Sequence, residues 1–111
     1  MSPITTHVLD TALGRPAAGV PVVLAKANGA RWTDLGRGVT DADGRCKGLM
    51  KDGTLRKGAY RLTFGVAAYF KRTKRTGFYP SISIAFTVRD SRHHHVPLLL
   101  CPWGYSTYRG S

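Results

Sequence analysis

"SISIAFTV", residues 81–88, decides the fold. Ile82, Ile84, Phe86 and Val88 alternate with Ser81, Ser83, Ala85 and Thr87. A period of two puts one set on each face of a strand, whereas a helix would repeat its apolar residues every three or four positions. Working outward, "YRLTF" (60–64) sets Tyr60, Leu62 and Phe64 on one face, and "GVPVVLA" (19–25) is compact and β-branched. Between these runs lie turn-forming clusters: "GRPAAG" (14–19), "NGA" (28–30), "DADGR" (41–45), "KDG" (51–53) and "RTG" (75–77). Short strands separated by frequent turns predict an all-β sandwich or barrel. The single candidate helix is "VAAYFKR" (66–72). No internal repeat or linker interrupts the chain, so one domain is expected over residues 1–111.

A chain of 111 residues buries roughly two-thirds of its unfolded surface and needs no metal or disulfide staple. No segment approaches the ~20 apolar residues of a membrane helix. "MSPITTHVLD" lacks the basic opening and apolar block of a secretory leader, which predicts a cytoplasmic protein. Cys46 and Cys101 make neither zinc spacing nor a disulfide framework, and two free thiols are expected. The net charge is +11, from seventeen Lys and Arg against six Asp and no Glu. The densest basic cluster is "KRTKR" (71–75), with only Tyr69, Phe70, Phe78 and Tyr79 nearby. These aromatics do not repeat as a base-stacking platform would, so the charge reads as a solvated face and nucleic acid is not the expected partner.

"HHHVPLLLC" (93–101) carries the chemistry-bearing residues. As a strand, it sets His94, Val96, Leu98 and Leu100 on the core face and His93, His95, Pro97, Leu99 and Cys101 on the other. The second face is apolar as well, which suits a partner subunit or a ligand cavity. Pro97 cannot donate to a ladder, so the strand is expected to break or lie at a sheet edge there. Adjacent strand histidines point to opposite faces, which disfavours a zinc site at 93–95.

"SPITTHVLDTALGRPAAGVPVVL" (2–24), "DGRCKGL" (43–49), "FYP" (78–80), "HVPLLL" (95–100) and "YSTYRGS" (105–111) together resemble the 5-hydroxyisourate hydrolases, the transthyretin-related enzymes of urate breakdown. The likeness covers nearly the whole chain, and Tyr108-Arg109-Gly110-Ser111 is its most specific element. It implies a transthyretin/prealbumin-like sandwich of two four-stranded sheets with one short helix. It also implies a homotetramer, a dimer of dimers, with active sites in a channel where His95, Pro97, Leu99 and Cys101 would face the substrate. His7 and His95 match the family's catalytic histidines, Arg45 its active-site arginine, and Tyr108, Arg109, Gly110 and Ser111 its closing motif. No metal or cofactor is implied. Eukaryotic members can be peroxisomal, although "RGS" is not a peroxisomal address.

The implied reaction opens 5-hydroxyisourate to 2-oxo-4-hydroxy-4-carboxy-5-ureidoimidazoline. It requires an activated water, a polarised carbonyl and a protonated nitrogen leaving group. Histidine titrates near neutrality and suits the proton steps. Arginine stays charged and offers a donor fork for substrate oxygens. The chain departs from the family pattern at Cys101, where Ser is usual, and at Lys47, where Pro is common. Two other readings share some of these features. A transthyretin-like carrier would have the fold without needing His7, Arg45, His95 and the closing motif together. A basic nucleic-acid-binding β-domain would show steeply salt-dependent binding.

Overall fold

The computed structural model describes residues 2–111. Strands β1 (Ile4–Asp10), β2 (Arg15–Pro16), β3 (Pro21–Asn28), β4 (Arg31–Val39) and β5 (Gly58–Phe64) precede helix α1 (Val66–Arg72). Strands β6 (Ile82–Val88), β7 (His94–Cys101) and β8 (Gly104–Thr107) follow it. They form two four-stranded sheets, ordered β2-β1-β7-β8 and β4-β3-β5-β6. Among the described residues, no helix is long and apolar enough to cross a membrane.

The alternation in the sequence becomes the core between the sheets. Tyr60, Leu62 and Phe64 of β5, Ile82, Ile84 and Val88 of β6, and Val96, Leu98 and Leu100 of β7 are all buried there. Each such side chain contributes about 1.5–3 kcal/mol through burial. Helix α1 spans the same seven residues that its sequence predicts, and it buries Val66, Tyr69 and Phe70 at helical spacing.

The basic cluster after α1 is partly internal. Arg75 Nη2 reaches the fully buried Asp10 Oδ2 at 2.6 Å, and Arg72 Nη2 donates to the Ala18 carbonyl at 2.6 Å. Asp10 also accepts from the Tyr69 hydroxyl at 2.7 Å and from the amides of Ala12 and Leu13. Burial alone would raise the Asp10 carboxyl, but hydrogen bonds from Arg75, Tyr69 and Leu13 outweigh it and hold the group below its ordinary value.

One expectation is corrected. Strand β7 is neither broken nor at an edge at Pro97: it lies between β1 and β8. The Pro97 carbonyl accepts from Thr107 Oγ1 on the β8 side, at 2.7 Å. The missing N–H points the same way, into the gap between the Leu98–Thr107 pair and the His95–Gly110 bridge where pairing on this side is interrupted, while the β1 side stays paired throughout. Strand β4, unmarked by any apolar alternation, pairs with β3 along its length, with a bulge at Leu24/Ala25.

Candidate active site

The site is built on the parallel pair β1 and β7, which join residues about ninety positions apart in sequence. Ile4, Thr6, Val8 and Asp10 are buried, so Thr5, His7 and Leu9 face outward. The register sets Thr5 beside His95, His7 beside Pro97 and Leu9 beside Leu99. Thr5 and His95 are therefore neighbours on the outer face. Thr5 Oγ1 lies 2.8 Å from His95 Nδ1 and 2.9 Å from His93 Nε2.

Arg45 arrives on the 41–45 turn. Asp41 Oδ1 accepts the amides of Asp43 and Arg45 at 2.9 and 3.0 Å, an Asx-type closure that the "DADGR" composition favours. The turn docks on β1 through the Val8 amide, which donates to the Gly44 carbonyl at 2.7 Å, and through a bridge between His7 and Arg45. Gly44 has φ +79°, and a Cβ there would run into the Val8 carbonyl. His7 Nε2 lies 2.7 Å from the Asp43 carbonyl. A carbonyl only accepts, so this nitrogen carries the hydrogen, and in the neutral ring Nδ1 is the acceptor.

The closing motif folds back onto β7. The Gly110 amide donates to the His95 carbonyl at 2.8 Å, and Arg109 Nη2 donates to the His93 carbonyl at 3.1 Å. Thr5, Arg45, Lys47, His93, His95 and Ser111, with Met50 and Asp52, line an open cleft of about 680 Å³. Burial lowers the His95 pKa from its ordinary value, and the positive charge of Arg45 lowers it further, followed by His93 and His7. The ring is thus kept neutral and available as a proton acceptor near neutral pH.

Not every residue expected at the site shares this cleft. His7 stands on β1 outside the lining, beside Arg45. Tyr108 and Arg109 line a second cleft of about 370 Å³ towards β6, which His95 also borders. Pro97 is buried, while Leu99 and Cys101 are half-buried along β7 outside both clefts. Cys46 and Cys101 are both free thiols. Thr5 and His93, which sequence reasoning left without a role, are both in the cleft. The signal that would have found them is the parallel register of β1 against β7, which no local pattern encodes.

The HIUase/Transthyretin family model matches residues 4–110. A 5-hydroxyisourate hydrolase of Deinococcus radiodurans is 50% identical to the chain, covering 97% of this chain and 95% of that one. The structure of Klebsiella pneumoniae 5-hydroxyisourate hydrolase superposes with a TM-score of 0.85 at 38% identity, over 97% of this chain and 98% of that one. Sea bream transthyretin in complex with thyroxine superposes with a TM-score of 0.92 at 30% identity, over 97% and 94% of the two chains. Sandwich, register and sequence agree, and the chain belongs to the HIUase/Transthyretin family.

Proposed function

We propose that the cleft bounded by Arg45, His95 and Ser111, with His7 beside it, is where this chain hydrolyses 5-hydroxyisourate. The activity is that of its relatives: water opens the ring to 2-oxo-4-hydroxy-4-carboxy-5-ureidoimidazoline in urate breakdown. The observation that carries the site assignment is the convergence of four segments: β1, the 41–45 turn, β7 and the closing motif. The His7–Arg45 bridge, the Thr5–His95 register pair and the Gly110–His95 hydrogen bond bring two imidazoles, one guanidinium and the closing motif to one face.

In this reading His95, held neutral by burial and by Arg45, accepts the proton of the attacking water. His7 offers Nδ1 to the same water, because Asp43 engages its other nitrogen. Arg45 holds the substrate's oxygens and stabilises the negative charge that develops on the attacked carbonyl. A protonated histidine then returns its proton to the leaving nitrogen. Ser111 orients water or substrate from the cleft wall, and Tyr108, Arg109 and Gly110 hold the end of the chain against β7.

The acting unit is one domain over residues 1–111, assembled as a homotetramer. Exposed edge strands β6 and β8 and the exposed aromatics Phe78, Trp103 and Tyr105 support association between copies. Leu99 and Cys101, half-buried on the outer face of β7, would then contribute to a channel between dimers, whereas Pro97, expected there from the sequence, is already covered within the single chain. Two free thiols suit a reducing compartment, the cytoplasm. Transthyretin shares the fold, so the fold does not separate enzyme from carrier; the convergence of His7, Arg45 and His95 supports the enzyme.

The test is an ultraviolet assay with freshly generated 5-hydroxyisourate, comparing the intact chain with one lacking residues 108–111. The intact chain should accelerate decay and the truncated one should not. Equal rates in the two would overturn the role given to the closing motif.

A further inference from the structure

The geometry points to Thr5 and His93 as positioning residues for His95, joined to it through one shared hydroxyl that couples the protonation of the two imidazoles. This inference rests on the reaction assigned above.

Thr5 Oγ1 is within hydrogen-bond distance of His95 Nδ1, at 2.8 Å, and of His93 Nε2, at 2.9 Å. A hydroxyl owns one hydrogen and cannot donate to both nitrogens. If it donates to His93, then His95 Nδ1 must carry a hydrogen and donate to it. His95 Nε2 is then the bare nitrogen, the form that can take a proton from water. If instead it donates to His95 Nδ1, His93 Nε2 carries the hydrogen and His95 Nε2 is protonated, the form that can give one. The bridge therefore links the base and acid forms of His95 to the state of His93. The two rings lie 6.3 Å apart at an interplanar angle of 25°, and the hydroxyl bridges them.

The proton steps balance. When His95 Nε2 takes the water's proton, the Nδ1–H bond breaks and its proton passes to Thr5 Oγ1. The Oγ1–H bond breaks in turn, and that proton passes to His93 Nε2. Hydroxide attacks the carbonyl, and the positive charge sits on His93. The reverse shift restores His95, which delivers the Nε2 proton to the leaving nitrogen. Water's proton ends on the product, and all three side chains return to their starting state.

Burial explains why the charge should move. His95 is half-buried and His93 is exposed, so water solvates a cation better at His93. The ionisable groups facing the pair across the cleft are Arg45, Cys46, Lys47 and Asp52, with His7 on β1. Arg89, His94, Tyr108 and Arg109 border His95 from the second cleft, and Arg92, Tyr108 and Arg109 share an open groove with His93. Arg109 holds the His93 backbone by its carbonyl, which leaves the imidazole to Thr5.

The test is the pH dependence of kcat and KM for Thr5→Val, Thr5→Ser and His93→Gln with 5-hydroxyisourate. Thr5→Val and His93→Gln should each lower kcat about tenfold, part of the full general-base effect, with KM changed less than twofold. Thr5→Ser should recover most of the loss. His93→Gln should move the acid limb of the kcat profile to higher pH, because a positive charge that opposes protonation of His95 is removed. The double variant should be no slower than Thr5→Val, since both changes cut one chain. An active chain whose Thr5→Val and His93→Gln variants keep the parent kcat and pH profile overturns this inference alone. A parent chain that turns over no 5-hydroxyisourate overturns both readings.

Discussion

The Gly110 amide donates to the His95 carbonyl at 2.8 Å, and a Cβ at Gly110 would sit 2.6 Å from His95 Cδ2. The closing motif therefore packs its bare backbone against the imidazole itself. Gly110→Ala should push that ring off its Thr5 partner. The expected result is a fall in kcat of about tenfold or more. The melting temperature should change little, because residues 108–111 lie outside the buried core. Steady-state kinetics beside a thermal melt would check both halves.

A second prediction concerns the pH profile. Burial and the Arg45 charge hold the His95 pKa below its ordinary value, so the acid limb of kcat/KM should lie below about 6.5. Arg45→Gln removes a positive charge, which makes protonation of His95 easier and moves the limb upward. It should also cut kcat/KM by roughly 100-fold through loss of carbonyl stabilisation. A limb that stays in place in the Gln variant would contradict the electrostatic contact.

Gly44→Ala should damage the site from a distance. Its φ of +79° and its approach to the Val8 carbonyl leave no room for a methyl group. Backbone strain of about 1–3 kcal/mol should appear in denaturant unfolding. Displacement of the 41–45 turn should lower kcat/KM as well, because Arg45 is carried by that turn.

The buried ion pair makes a prediction about acid stability. The Asp10 carboxyl is held below its ordinary value, so its contribution is fully present above the unfolded-state value of about 4 and is lost as pH falls below it. Asp10→Asn leaves Arg75 without its carboxylate and should cost on the order of 3 kcal/mol at neutral pH. Urea unfolding from pH 7 to 3 should show a flatter pH dependence in the variant than in the parent.

Assembly can be tested on the outer face of β7. Leu99→Arg places a charge beside Cys101 on the surface assigned to contacts between dimers. Light scattering should report a tetramer for the parent chain and a dimer for the variant.

Much of the sandwich was legible because its inner faces follow a simple rule. Bulky apolar residues alternate along β5, β6 and β7, and the structure buries every member of that set except Phe86, which is half-buried. Strand β4 carries no such pattern for a physical reason. Gly36 and Gly38 sit under the 46–49 segment, where a Cβ would meet the Leu49 carbonyl and Cys46 Sγ. The strand's covered face is closed by another piece of backbone, so side-chain hydropathy has nothing to report. Pro97 misled because the rule against proline in central strands considers both ladder sides, whereas here the unused side falls where β8 has ended. At the site, His7, Arg45 and His95 were identified through family resemblance. Thr5 and His93 were not, because their significance depends on which strand lies beside β7.

The pairing of β1 with β7 also sets the order in which the molecule can be completed. When roughly the first ninety residues have left the ribosome, β1 has only the two-residue β2 and the 41–45 turn beside it, both along one edge. Its other edge stays unpaired until residues 94–101 emerge, and His7 waits there for His95, the imidazole proposed to act with it. Long-range pairing of this kind is slow and leaves strand edges open to neighbouring chains. Catalytic competence should therefore be among the last properties a newly made copy acquires.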